Sequence, residues 1–173
     1  MQAEKRQMRI ADSIVMEMDQ EAETTRRLFN VIPDDKLDWR PHPKARSLGE
    51  LAMHIALIPG GVAELAQPDV VPMPDFPPDP VATSREQILE LFAESLKKGR
   101  DIVASTDDDR AMAEWKIVKG DTTVMAMPRI GMWRTILLNH NYHHRGQLSA
   151  YLRELDVPLP SIYGPSADEN PFG

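Results

Sequence analysis

The feature that most constrains this chain is a helix-period stripe in its C-terminal third that carries two histidines near its centre. From about Pro128 to Leu155 apolar residues recur at the spacing of one long helix. On a wheel turning about 100° per residue, Trp133, Leu137, His144, Tyr151 and Leu155 all fall within about 60° of His140. The face expected to enter the core therefore holds His140 and His144 at i and i+4. Buried polar groups need partners, and two imidazoles one turn apart on one face point the same way, an arrangement that a divalent ion can bridge. Ordinary hydrogen bonds to a neighbouring helix are the alternative reading of the same pair.

Three further amphipathic stretches precede it. From about Ala3 to Ile32, apolar or small residues recur at Ala11, Ile14, Met18, Ala22, Thr25, Phe29 and Ile32, and Pro33-Asp34-Asp35 closes the pattern. Leu37 to Pro43 cannot be regular helix, because Pro41 and Pro43 push their predecessors towards extended geometry. Ser47-Leu48-Gly49-Glu50 is a capping box, and it opens a helix whose stripe is Leu48, Leu51, Ile55, Ile58, Val62 and Leu65. His54 lies at the border of that stripe, about 40° from Ile58. Pro59 followed by Gly60-Gly61 predicts a kink or short break just beyond it. A third helix opens at Thr83-Ser84 and runs to about Thr106, with Ile88, Leu91, Phe92, Ser95, Leu96, Gly99, Ile102 and Val103 on its inward face.

The connections complete the plan. Gln67 to Pro80 holds six prolines and reads as an extended crossing of the surface. Trp115 to Val124 reads as a short hairpin around Gly120. The expectation is an all-α, four-helix bundle with a long second crossover connection and a small β-hairpin before the last helix, a single domain over residues 1–173.

Composition narrows the function classes. A net charge of −7 with no basic run argues against a phosphate-tracking nucleic-acid surface and against adsorption to anionic lipid. The most apolar run, Leu51 to Ala66, is interrupted by His54, Pro59-Gly60-Gly61 and Glu64, and is expected not to span a membrane. Met1 to Gln7 leads into a pattern already containing Asp12, Glu17 and Asp19, so no apolar signal core is expected and the cytoplasm is the expected compartment. With no cysteine, any metal must take nitrogen and oxygen ligands.

If the second and fourth helices are neighbours, His54 converges with His140 and His144. Three neutral nitrogens leave a divalent ion an open position, and such an ion lowers the pKa of a bound water or thiol. His143 could replace one ligand as an i, i+3 partner or act from outside the ligand set. Around these, Glu50 is accounted for by its cap, His42 reads as an exposed loop histidine, and Gln147 faces inward where it could orient a ligand. Arg145 is expected to pair at the surface or between subunits, and Gly146 to admit close approach of another element. Asp107-Asp108-Asp109 lacks the alternating spacing and glycine of a calcium loop and reads as a solvated helix terminus. There is no His-Glu-x-x-His motif, no pair of Glu-x-x-His motifs and no Gly-rich phosphate loop.

Leu37-Asp38-Trp39-Arg40-Pro41-His42-Pro43 running into Ser47 to His54, then His140-Asn141-Tyr142-His143-His144-Arg145-Gly146-Gln147-Leu148 and Pro160-Ser161-Ile162-Tyr163-Gly164, resemble the DinB-like (damage-inducible, YfiT-related) metalloproteins in order and spacing. That resemblance implies a four-helix bundle, often a homodimer, that holds zinc or nickel on three histidines; matched position by position they are His54, His140 and His144. Proteins of that family include transferases that use low-molecular-weight thiols such as bacillithiol, and mycothiol-dependent isomerases. The implied function is a cytoplasmic, homodimeric, metal-dependent enzyme of thiol S-transferase or hydrolase type. It would act on a small-molecule electrophile, with a low-molecular-weight thiol as co-substrate. A non-catalytic metal- or ligand-binding bundle is the alternative.

Overall fold

Every residue of the first predicted stripe is buried: Ala11, Ile14, Met18, Ala22, Thr25, Phe29 and Ile32 are each no more than 5% exposed in the computed structural model, which describes residues 8–75 and 77–173. The first helix, α1, spans Ile10–Phe29, and a single 3-10 turn at Asp34–Lys36 follows. The expected helical start between Ala3 and Gln7 lies outside the described residues.

Helix α2 spans Leu48–Leu65. Its first-turn amides are all accommodated. Leu48 N–H donates to Trp39 O at 2.8 Å, Gly49 N–H to Leu37 O at 2.9 Å, and Glu50 N–H to the Ser47 hydroxyl at 3.2 Å. The Glu50 carboxylate in turn accepts from Ser47 N–H at 2.6 Å, so the capping box forms as the sequence predicts. The proline-bearing loop thus caps α2 from outside.

The break expected after His54 does not occur, and α2 continues unbroken through Pro59. Proline at 59 removes the donor that the Ile55 carbonyl would otherwise receive. Asn141 Nδ2 donates to Ile55 O at 3.3 Å in its place. One turn further, Ser95 Oγ accepts from Gly60 N–H at 2.8 Å and donates to Leu57 O at 3.2 Å. By length and composition, with mean hydropathy 1.3 over 18 residues, α2 is long and apolar enough to cross a bilayer, contrary to the sequence expectation. It is 61% buried inside the protein, so its apolarity is that of a core helix here.

Helix α3, Arg85–Ala104, is capped by the Ser84 hydroxyl and crosses α2 very closely. A Cβ at Gly99 would lie 2.5 Å from Pro59 O, and one at Gly60 would lie 2.9 Å from Ser95 O. A short helix α4, Asp108–Met112, follows, with the Asp107 side chain as its cap, in keeping with a helix-terminus reading of the three aspartates.

The fold is mostly helical but not all-α. The predicted hairpin is present as β2, Glu114–Lys119, and β3, Thr122–Pro128, turning at Gly120 with φ of 57°. The proline-rich connection supplies a third strand, β1, Val70–Pro72, parallel to β2 with Val71 opposite Ile117. Proline is tolerated there because β1 is an edge strand. Trp115, fully buried on β2, donates its indole N–H to Leu65 O at 3.1 Å and fixes the sheet to the end of α2.

The last helical run begins at α5, Arg129–Met132, widens to a π-helix at Trp133–Asn139 and continues as α6, His140–Glu154. It packs on α2 and α1, and α2 packs on α3. Apolar side chains collect in two clusters. One holds Phe29, Leu51, Ile55, Phe92, Leu148 and Leu152; the other holds Ile14, Met18, Trp115, Trp133 and Leu137. The histidines stand where α2 and α6 meet.

Candidate metal centre

Two helices build the site. His54 projects from the middle of α2, and His140 and His144 from the first turns of α6. The Asn141 bond to the carbonyl freed by Pro59 draws the two helices together one residue from His140. The π-helix directly before His140 resets the phase of the helical run, so the rotation of α6 about its axis is not the one a uniform wheel gives.

His54, His140 and His144 each offer a ring nitrogen, and these atoms lie within 4.8 Å of one another. Ring centroids are 5.3 Å apart for His54 and His140, 4.5 Å for His54 and His144, and 4.4 Å for His140 and His144. His144 Nε2 and His140 Nε2 are 2.6 Å apart. The His54 Nε2 atom is buried with no hydrogen-bond partner among the described residues. A buried, unpartnered imidazole nitrogen beside two others is the donor set of a three-nitrogen metal site. The residues present fit a divalent ion.

The electrostatics agree. Burial pushes the His144 imidazole down to about 4, against a raising effect of its bond to Gln147, and the charges of His54, His140 and Arg46 add to the lowering. His140 is shifted down by burial and then by His54, His143 and Arg46. Both rings are neutral near pH 7, the form that binds metal.

Neighbouring groups occupy the outward nitrogens. Gln147 is exposed rather than turned inward as expected, but its Oε1 lies 2.7 Å from His144 Nδ1, where it can orient that ring. Asp79 Oδ1 lies 2.7 Å from His54 Nδ1. Burial raises the Asp79 carboxyl, but bonds from Arg46 and His54 more than offset this and hold it below the ordinary carboxylate range. Asp79 comes from the proline-rich connection, and the sequence reading did not find it. Its only local signal is a carboxylate fixed between Pro78 and Pro80.

The remaining candidates separate clearly. His143 is exposed, its ring 5.0 Å from that of His144 but outside the three-histidine cluster. His42 is exposed and accepts from Lys44 N–H. Glu50 stays in its cap and faces Arg40 at 3.5 Å. Arg145 corrects the sequence expectation: it is 1% exposed and turned into the fold. Its guanidinium donates to Glu21 Oε2 at 2.5 Å, to Glu21 O at 3.0 Å and to the Tyr163 hydroxyl, and it stacks over the rings of Tyr142 and Tyr163. Gly146 is a second correction. A Cβ there would meet nothing within 4 Å, and the close approaches are at Gly60 and Gly99 instead.

Fold and site together define a helical protein of mixed α and small-sheet structure with a three-histidine cluster, on two adjacent helices, that could hold a metal ion. The DinB superfamily model matches residues 17–148, and the chain belongs to that superfamily. The uncharacterized protein YrdA of Bacillus subtilis strain 168 is 26% identical over 152 residues, covering 86% of this chain and 85% of that one. A DinB-like protein from Bacillus cereus ATCC 10987 superposes with a TM-score of 0.69 at 20% identity, over 88% of this chain and 97% of that one. The DinB-like protein YjoA of Bacillus subtilis superposes with a TM-score of 0.66 at 18% identity, over 87% and 96% of the two chains. These two likenesses are of fold.

Proposed function

We propose that this protein is a divalent-metal-dependent enzyme in which His54, His140 and His144 hold zinc or nickel and a thiol or water is activated towards a small electrophile. The reaction class is thiol S-transfer or hydrolysis, with a low-molecular-weight thiol as co-substrate in the first case. The observation that supports it is the orphaned His54 Nε2 facing two neutral imidazoles. A cluster of three nitrogen donors suits zinc, nickel or copper better than magnesium or calcium. When bound, such an ion supplies a Lewis acid that brings a thiol or water towards deprotonation near neutral pH.

The chain's own groups would bind and orient. His144 is buried, whereas His54 and His140 are partly exposed. Two turns beyond His144, Tyr151 meets Trp39 edge-on at 5.6 Å, and this pair offers an apolar wall on the histidine side of α6. The acidic net charge supports a small-molecule substrate rather than nucleic acid or a lipid surface. A cytoplasmic homodimer completes the proposal; light scattering that returns a single-chain mass would remove the dimer.

One feature favours a second reading. The three ligands come from α2 and α6 alone, so an ion would also cross-link those helices and stabilise the fold without catalysis. Cobalt-loaded protein separates the two. Adding 2-mercaptoethanol should give a thiolate-to-cobalt charge-transfer band and, with an alkyl halide electrophile, thioether formation. An unchanged spectrum and no thiol consumption would leave the structural reading.

A further inference from the structure

We infer that Asp79 is a positioning residue of the metal centre: by accepting from His54 Nδ1–H it fixes the ring tautomer and rotation that present the Nε2 lone pair to the ion. The inference rests on the metal-site reading above and deepens it. It makes the long proline-rich connection a working part of the centre.

Three observations converge. First, His54 Nδ1 lies 2.7 Å from Asp79 Oδ1. An ionised carboxylate only accepts, so the shared proton sits on Nδ1 and the opposite nitrogen, Nε2, carries the lone pair. Second, that Nε2 is the buried nitrogen left without a partner among the described residues. A ring in the other tautomer would leave an N–H donor there, adjacent to two imidazoles and unable to ligate. Third, Asp79 is itself held. Its other oxygen, Oδ2, accepts from Arg46 Nε at 2.5 Å, and its side chain is only 17% exposed. Arg46 immediately precedes Ser47, the cap of α2. Asp79 therefore ties the connection between α2 and α3 to both the start of α2 and the histidine two turns into it.

The chemistry of this pairing is general. A carboxylate on the far nitrogen of a ligating imidazole raises its basicity and stops the ring from turning, and its loss costs about 10–100-fold in metal affinity. Gln147 on His144 Nδ1 is the neutral counterpart on α6. His54 on α2 is thus held from behind by a charge from the connection, and His144 on α6 by an amide of its own helix.

The test uses full-length protein and has two readouts. Long-range proton–nitrogen NMR on metal-free protein reports the His54 tautomer directly, and zinc affinity is measured by competition with a chromophoric chelator. Wild type should show Nδ1–H at His54. Asp79→Ala should mix the tautomers and weaken zinc binding about 10–100-fold with unchanged circular dichroism. Asp79→Asn, which preserves shape and one acceptor oxygen, should fall between them and guards against a variant that fails to fold. An Nε2–H tautomer in wild type, or Asp79→Ala binding zinc as tightly as wild type, overturns the inference while the metal site stands. Wild type that binds no zinc overturns both.

Discussion

The Nε2 atoms of His140 and His144, one helical turn apart on α6, lie 2.6 Å from each other. A tetrahedral ion with bonds of about 2.0–2.1 Å would set two such atoms about 3.3 Å apart, so the pair need open by less than about 1 Å. Small rotations of two rings on one rigid helix supply that, which makes the pair a nearly formed half of a binding site rather than two unrelated core histidines.

A pH dependence follows for the metal-free protein. His144 is pushed down to about 4, mainly by burial, from an ordinary value near 6.5. Between about 6.5 and about 4 the unfolded chain takes up a proton that the folded ring refuses, so unfolding free energy decreases as pH falls through that window and is unaffected by this group above it. Urea midpoints measured across the window should fall. The fall should be shallower in His144→Gln, and equal slopes in the two proteins would assign it to other groups.

Alanine should have opposite effects at Gly99, where α3 crosses α2, and at Gly146 on α6. Gly99→Ala places a Cβ 2.5 Å from the Pro59 carbonyl oxygen, a backbone atom that cannot step aside; it should cost about 1–3 kcal/mol. Gly146→Ala meets nothing within 4 Å on a helix and should stabilise by about 0.5–1 kcal/mol. Chemical denaturation measures both. A destabilised Gly146→Ala would mean that something outside this chain packs there.

Asn141 carries a prediction because Pro59 leaves a carbonyl behind. Asn141→Ala removes the only hydrogen bond recorded from a side chain to Ile55 O among the described residues and should cost about 1–3 kcal/mol. A double substitution with Pro59→Ala, which restores the main-chain donor, should recover part of it. No recovery would show that Asn141 acts by packing alone.

Arg145 is the buried charge whose removal should matter most. Its partner Glu21 is also largely buried, with side chains 1% and 13% exposed. Arg145→Ala strands that carboxylate and should cost about 3–5 kcal/mol. It should also loosen the tail that Tyr163 anchors to Glu21 at 2.8 Å, seen as faster proteolysis after residue 156. Arg145→Lys should rescue little, because an ammonium cannot reproduce the fork that reaches Glu21 and Tyr163 together.

Much of this was legible in the sequence, and the misses have physical causes. The stripe of α1, the Ser47–Glu50 box and the placing of His140 and His144 on one face follow from period and cap chemistry, which are local, whereas the convergence of His54 with that pair required the second and last helices to be neighbours, as the family resemblance implied. Asp79, β1 and the Arg145 pairing depend on which distant segments meet, and no local pattern reports that. Val71 and Asp79 lie in a stretch whose prolines signal extension without saying against what. Of the kink or short break that Pro59 signals, the break is averted by Asn141 and Ser95 from other helices. The π-helix before His140 is equally silent in the residues that form it.

The most direct test of the central claim is metal content by elemental analysis of untagged protein reconstituted with zinc or nickel, comparing wild type with His54→Ala and His144→Ala. The three-histidine site predicts about one ion per chain in wild type and loss of it in both variants. Wild type without stoichiometric metal, or variants that retain it, would contradict the account.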